Sequence, residues 1–343
     1  AYLMMADKNA LCPTDGLNQK FKLSKNEQGR TFVTVSEDLS LEDLTPPILR
    51  EIQVDGCCDL IYSQPIEPGG NSYSFVDYAK LLSESYKHNN KLQMPISSMC
   101  KDCEYRTTEE EDKAGLKNGF RECWQACLGW SDADFADSTV LDIWNFRKKD
   151  KLINQGKIKL TFITEDDISP KEDDKPGLST TERQWLQVQK EQNDDQTAWC
   201  DTDNLKEEMD SWLYPLHFID FETSMVAIPF NKGRHPYEGI AFQFSHHVVY
   251  ENGRIEHKGE YLNTAPGVFP NYDFVRKLKQ ELETDEGSVF RYAAHENSFL
   301  NIIYKQLKNS DESDREELCA FIQTITHSVN GSGEKWTGER DMI

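Results

Sequence analysis

The sequence is short of positive charge. Lysine and arginine total 38 against 60 aspartates and glutamates, which gives a formal net charge of −22 at pH 7. Nucleic-acid binding draws most of its affinity from basic side chains that neutralise phosphates, so a uniformly acidic surface would repel such a partner. Much of the acid, however, lies in local runs at 109–112, 165–167 and 172–174, the kind that form solvated faces or loops. There is no apolar run long enough to span a membrane, which excludes a membrane-spanning helix. No secretory signal is visible either. The nine cysteines therefore point to a reducing, cytoplasmic setting and to thiol or metal roles rather than disulfides. No internal repeat is apparent. Residues 331–335 superficially suggest a phosphate loop, but they lack its Gly-Lys-Ser/Thr ending and a preceding strand, so a flexible loop is expected.

What is present is a globular composition: 37% hydrophobic, 11% aromatic, with mean hydropathy −0.70. At 343 residues the chain is long enough for two domains. The most informative stretch is 213–223, an apolar run that ends on Asp220 and Glu222. Residues two apart on a strand share a face, so the two carboxylates project together. Side by side they repel unless a cation lies between them. Mg²⁺ takes oxygen ligands of this kind, which makes the pair a candidate half-site for metal-assisted phosphodiester hydrolysis. The competing reading is a strand end whose acids face water.

The chain beyond this point reads β-β-β-α-β-α-α. Residues 240–250 alternate and are rich in β-branched and aromatic side chains. Glu251-Asn252-Gly253 is a hairpin turn, and 254–262 form the next strand. Residues 272–283 have helical spacing, with Phe274, Leu278 and Leu282 on one side. Residues 288–294 read as a fourth strand, and 297–307 and 314–328 as helices. Of the adjacent pair His246-His247, one is expected buried and one exposed, because neighbouring strand residues face opposite sides. Trp336, Tyr292 and Phe299 could stack on bases or fill the core.

This order, together with Asp220-Phe-Glu-Thr223, resembles the ribonuclease H-like exonucleases of the DEDD type. The wider set His217-Phe-Ile-Asp-Phe-Glu-Thr223, Ala227-Ile-Pro229, Pro236-Tyr237, Phe242-Gln-Phe-Ser-His246, Arg291-Tyr-Ala-Ala-His-Glu-Asn297 and Gly338-Glu-Arg-Asp-Met342 is similar to the bacterial DUF2779 proteins. There a RecB-like nuclease part with a cysteine cluster precedes an exonuclease-like part. The resemblance implies that Asp220 and Glu222 bind Mg²⁺ or Mn²⁺, and that His295 serves as general base or orients the attacking water. Leu300 falls where a third acid would sit. Glu296 or His295 is the substitute by a shift of register. The final motif, Tyr or His followed by Asp, has no clear match and would lie further on than Ile343, which leaves Asp341 as the last acid available. DNA or RNA is the implied partner, with protein partners in DNA repair or defence.

In the first half, residues 2–6, 21–23 and 31–35 read as strands, and 48–54 and 74–88 as helices. The stripe of Phe75, Tyr78, Leu81 and Leu82 is expected to pack in a core. Cys100-Lys-Asp-Cys103 lets two thiolates reach one ion from a tight turn, and Cys123 and Cys127 stand one helical turn apart in 121–128. Zn²⁺ and a 4Fe-4S cluster both suit such a group, and buried free thiols are the alternative. By resemblance, Cys100, Cys103 and Cys123 could be the late ligands of a cluster whose first cysteine lies upstream. Cys12, Cys57, Cys58, Cys200 and Cys319 read as small core residues. No Asp…Glu-x-Lys core is evident here, although Glu256-His-Lys258 matches the tripeptide inside the other half. The resemblance thus implies that the chain begins downstream of its first catalytic centre. Residues 165–180 are the best linker candidate, followed by a helix from the capping box Ser179–Glu182 to Gln192 and another over 204–212.

The expected architecture is a mixed α/β chain. Residues 1–164 would be the C-terminal part of a RecB-like domain with a cysteine cluster, 165–212 a linker with connecting helices, and 213–343 a ribonuclease H-like exonuclease domain. The leading function is a two-metal nuclease. The alternative is a non-catalytic nucleic-acid- or protein-binding module stapled by the zinc or iron–sulfur site.

Overall fold

The structure, a computed structural model, describes every residue except Asp174 and 330–332. Part of the loop expected at 331–335 and one residue of the expected linker therefore lie outside the described residues. The fold is mixed α/β, as anticipated. No helix of the described residues is long and apolar enough to cross a membrane.

The chain divides into two compact units, Ala1–Asp55 with Met209–Ile343, and Gly56–Glu208. This grouping differs from the expected boundaries at 164 and 213. The first 55 residues join the C-terminal part through backbone bonds, Cys12 N–H to Arg234 O at 2.9 Å and Gly16 N–H to Phe230 O at 2.7 Å.

In this N-terminal arm, β1 (Tyr2–Ala6) pairs antiparallel with β4 (Leu49–Gln53), and β2 (Phe21–Lys25) pairs with β3 (Thr31–Val35). The helix expected over 48–54 is thus a strand. Pairing with β1 satisfies its backbone, and tertiary partners override a weak local preference.

The second unit is helical. It holds α1 (Asp55–Ser63, whose first residue belongs to the other unit), α2 (Phe75–Lys87), α3 (Glu109–Lys113), α4 (Gly119–Leu128), α5 (Lys149–Asn154), α6 (Glu165–Ile168), α7 (Thr180–Gln192) and α8 (Thr202–Asp210, whose last two residues return to the first unit). Its core joins Trp124 of α4, Leu152 of α5, Ile168 of α6 and Val188 of α7. Two expectations are corrected here. The stripe on α2 is not core: no residue of that helix is buried, and Phe75 meets Tyr62 edge-on at 5.5 Å. The linker at 165–180 begins as α6, whose Ile168 is buried in the core and whose first turn is capped by Thr164 and Asp167. The capping box at Ser179 and Glu182 is present as expected.

The remainder of the first unit carries β5 (Leu216–Ser224), β6 (Ile240–Val249), β7 (Ile255–Leu262), α9 (Asn271–Leu282), β8 (Val289–Phe290), α10 (His295–Lys308) and α11 (Arg315–Ile325). The sheet order is β7-β6-β5-β8, with β8 parallel to β5 and the other pairs antiparallel. The seven-residue strand expected at 288–294 shrinks to two residues, because the chain leaves the sheet to start α10 at His295. All three helices cover one sheet face. Ile219 and Phe221 of β5, Phe244 of β6, Phe274, Leu278 and Leu282 of α9, Leu300 of α10 and Ile322 of α11 share one core. Leu278 is fully buried, so Leu278→Ala should cost about 3 kcal/mol through lost contacts and a residual cavity. Urea unfolding would read this as a lower midpoint with an unchanged slope.

Candidate active site

Strand β5 is half core and half solvent. Ile219 and Phe221 are buried, whereas Phe218, Asp220 and Glu222 stand exposed on the other face. Across the ladder, Asp220 opposes Ser245 and Glu222 opposes Gln243 on β6, so polar neighbours flank both acids. Neither carboxylate has a hydrogen-bond or ion-pair partner among the described residues. A bulge between Glu222 and Thr223 re-aims the strand at this point. It brings the Thr223 hydroxyl within 2.9 Å of His295 Nε2, at the first turn of α10.

The other expected site residues are dispersed around this point. Glu296 follows His295 and is buried, and its Oε2 has no hydrogen-bond partner. Leu300 is fully buried in the helix–sheet core, so its position offers an apolar contact and no acid. Asp341 accepts a hydrogen bond from His327, at 2.8 Å between Oδ2 and Nδ1. Among the described residues, no three His, Cys, Asp or Glu side chains converge as a ready-made ion site. The type of donor nevertheless suits a hard cation: two unpartnered carboxylates on one face and an orphaned buried carboxylate oxygen beside His295.

The cysteines present a comparable picture. Cys100, Cys103 and Cys123 are half-buried against one aromatic core that includes Trp124 and Trp130. Cys127 is exposed; its sulfur accepts from Gln93 Nε2 at 3.0 Å and donates to Met94 O at 3.4 Å. Of the cysteines read as core residues, Cys12 is buried and Cys58 and Cys319 half-buried. Cys57 and Cys200 are exposed and correct that expectation.

Sequence reading missed one polar feature entirely. His246 is buried and His247 exposed, as expected, but His246 belongs to a hydrogen-bonded chain of four residues, all buried except the half-exposed Asp285 at its end. Asp285 Oδ1 meets His217 Nε2 at 2.8 Å, His217 Nδ1 meets His246 Nε2 at 2.9 Å, and His246 Nδ1 meets Glu281 Oε2 at 2.9 Å. His217 opposes Val248, so His246 sits diagonally across the ladder on the same face. The strand register would have revealed this pairing; the spacing of two distant histidines could not. Gly259 of β7 makes the room, because a Cβ there would lie 2.2 Å from Glu281 Oε1.

The chain has three polar contacts, and each needs one proton. Two neutral imidazoles supply two, so one of the contacts would meet lone pair to lone pair unless the chain holds one more. With three protons its net charge is −1. Burial opposes further charging and pushes both histidines below the ordinary value, against the pull of Asp285 on His217 and of Glu281 on His246. Lys258 on β7 opposes charge at both rings and Arg340 at His217, and Lys277 lies 3.1 Å from Glu281. Burial also raises the Asp285 carboxyl, but the Gly287 amide and His217 together hold it below its usual value.

Residues 217–327 match the family model described as a domain of unknown function, DUF2779. No curated protein and no solved structure matches the chain. The DUF2779 segment contains Asp220, Glu222, His295, Glu296 and the whole buried histidine chain. Asp341 and the four cysteines of the candidate cluster lie outside it.

The histidine chain sets a pH limit on this segment. Below about pH 6.5 the unfolded chain takes a proton on each imidazole, while burial keeps both rings below that value in the folded chain. The unfolded state then binds more protons, so stability is lost as pH falls from 6.5, at about 1.4 kcal/mol per pH unit for each imidazole. Urea titrations at pH 7 and pH 5 should show this loss, and His246→Gln should flatten the slope. An identical slope in that variant would contradict the assignment.

Proposed function

We propose that the exposed face of β5 is the metal-binding half-site of a nuclease that hydrolyses DNA or RNA phosphodiesters. The observation that carries this reading is the pair of unpartnered carboxylates, Asp220 and Glu222, on the solvent face of a strand whose other face is locked in the core. Mg²⁺ or Mn²⁺ held there would supply a nucleophile at neutral pH and stabilise the leaving oxygen. Asp220 and Glu222 would hold that ion. His295, tied to the bulge through Thr223, is placed to take or orient a proton. Glu296, buried with a free oxygen one residue on, is the candidate third acid in place of Leu300. Tyr292, 98% exposed between β8 and α10, offers a ring for a base to stack on. The β-β-β-α-β-α-α order of 216–325 is what supports reading this part as a ribonuclease H-like, DEDD-type domain.

Labelled single-stranded DNA and RNA, incubated with Mg²⁺ or Mn²⁺, should be degraded. Asp220→Ala should slow this by on the order of a thousandfold, several kcal/mol of transition-state stabilisation. Because the side chain is exposed, the variant should melt like the parent. Equal cleavage by the variant would sink the site. The buried Leu300 favours a second reading, a domain that binds nucleic acid or protein without cutting. That reading requires no metal binding near Asp220.

For Cys100, Cys103, Cys123 and Cys127 we propose a structural Zn²⁺ or 4Fe-4S site. Three half-buried thiols around one core support it. Metal analysis and visible absorption of the purified chain should find zinc without colour, or iron with a broad brown absorption. Cys100→Ser should lose the metal, and a chain carrying neither zinc nor iron would rule the site out.

A further inference from the structure

A cavity of about 450 Å³ opens at the C-terminal end of β5, beside Thr223, in the size range of small-molecule pockets. Its lining includes Asn18, Phe230, Asn231, Phe242 and Val268. Charged residues make up 29% of the chain, yet none of the lining side chains is charged. A bare phosphate, carboxylate or ammonium would find no counter-ion there, so the cavity suits the uncharged part of a ligand.

An amide in the lining lacks partners. Asn231 is only 5% exposed, and its carboxamide has no hydrogen bond among the described residues. Asn18 Oδ1 also lacks a partner, but it has no accessible surface and so does not face the cavity. Buried amides left unpaired are costly, and a carboxamide offers both donors and an acceptor. Phe230 and Phe242 add flat apolar surface. A planar, uncharged ring with mixed donor and acceptor edges answers all of these features.

We propose that this cavity is a pocket for a nucleobase, a choice of ring that rests on the nuclease reading above. Thr223 lines the cavity and directly follows Glu222. One strand residue advances about 3.3 Å, so a base held here leaves its sugar and phosphate within reach of the Asp220–Glu222 face. The carboxylates would hold a metal ion beside the phosphate, and the Asn231 amide would read the base.

The test uses uncharged ligands and no metal. Adenosine, guanosine, cytidine and uridine are titrated onto the full chain, with ligand-observed NMR to concentrations on the order of 10 mM. At least one nucleoside should bind, and its affinity should drop about tenfold or more in Asn231→Leu and in Val268→Trp. Val268 is 43% exposed, so its tryptophan variant fills the pocket from the rim and keeps the core should Asn231→Leu fail to fold. Asp220→Ala should leave nucleoside binding unchanged. No binding by any of the four, or equal binding by Val268→Trp, overturns the pocket. Cleavage with no nucleoside binding would remove the pocket and leave the nuclease standing. Nucleoside binding without cleavage would keep the pocket and remove the nuclease.

Discussion

Along β5 every second side chain from His217 onward belongs to the interior, and the ones between belong to solvent. Ile219 and Phe221 anchor the strand against α9, α10 and α11, and this burial fixes the direction in which Asp220 and Glu222 point. A slip of one residue would carry the acids into the core and expose the apolar pair, so the hydrophobic effect that holds the sheet together also aims the carboxylates. The bulge after Glu222 then turns Thr223 toward His295, linking the strand to the start of α10. The candidate chemistry of the unit hangs on the register of a single central strand.

The parts legible in the sequence are those carried by strong periodicity. The helical spacing of Phe274, Leu278 and Leu282 and the alternation through 240–250 located α9 and β6, and the capping box located α7. The sharing of a face by Asp220 and Glu222 followed from the strand period alone. Features that depend on distant partners were not legible. Residues 49–53 are a strand only because β1 lies beside them, and the α2 stripe looked like core because amphipathicity does not say whether a partner exists. The histidine chain required the β5–β6 register, the reach of α9 and a gap at Gly259 at once. Asn231 lies in the loop between β5 and β6, where no periodicity marks a side chain as buried.

The deficit of basic residues bears on how a nucleic acid would be held. With a net charge of −22, wide electrostatic adhesion is disfavoured, and the salt-dependent share of affinity shrinks with it. Recognition through an uncharged cavity and an exposed aromatic ring avoids that conflict. Such contacts gain from desolvation and stacking rather than from counterion release. A bound cation at Asp220 and Glu222 would reduce the repulsion locally, where a phosphate must approach.

The close approach of Glu281 to the backbone at Gly259 constrains which substitutions this segment can accept. Glu281 occupies the volume that a side chain at 259 would need, so the two positions trade volume and charge together. A relative that replaced the acid with a small residue would have no reason to keep the glycine, and one that kept the acid could not lose it. Gly259 and Glu281 are therefore coupled in volume, and any side chain at 259 would have to displace the carboxylate that closes the histidine chain.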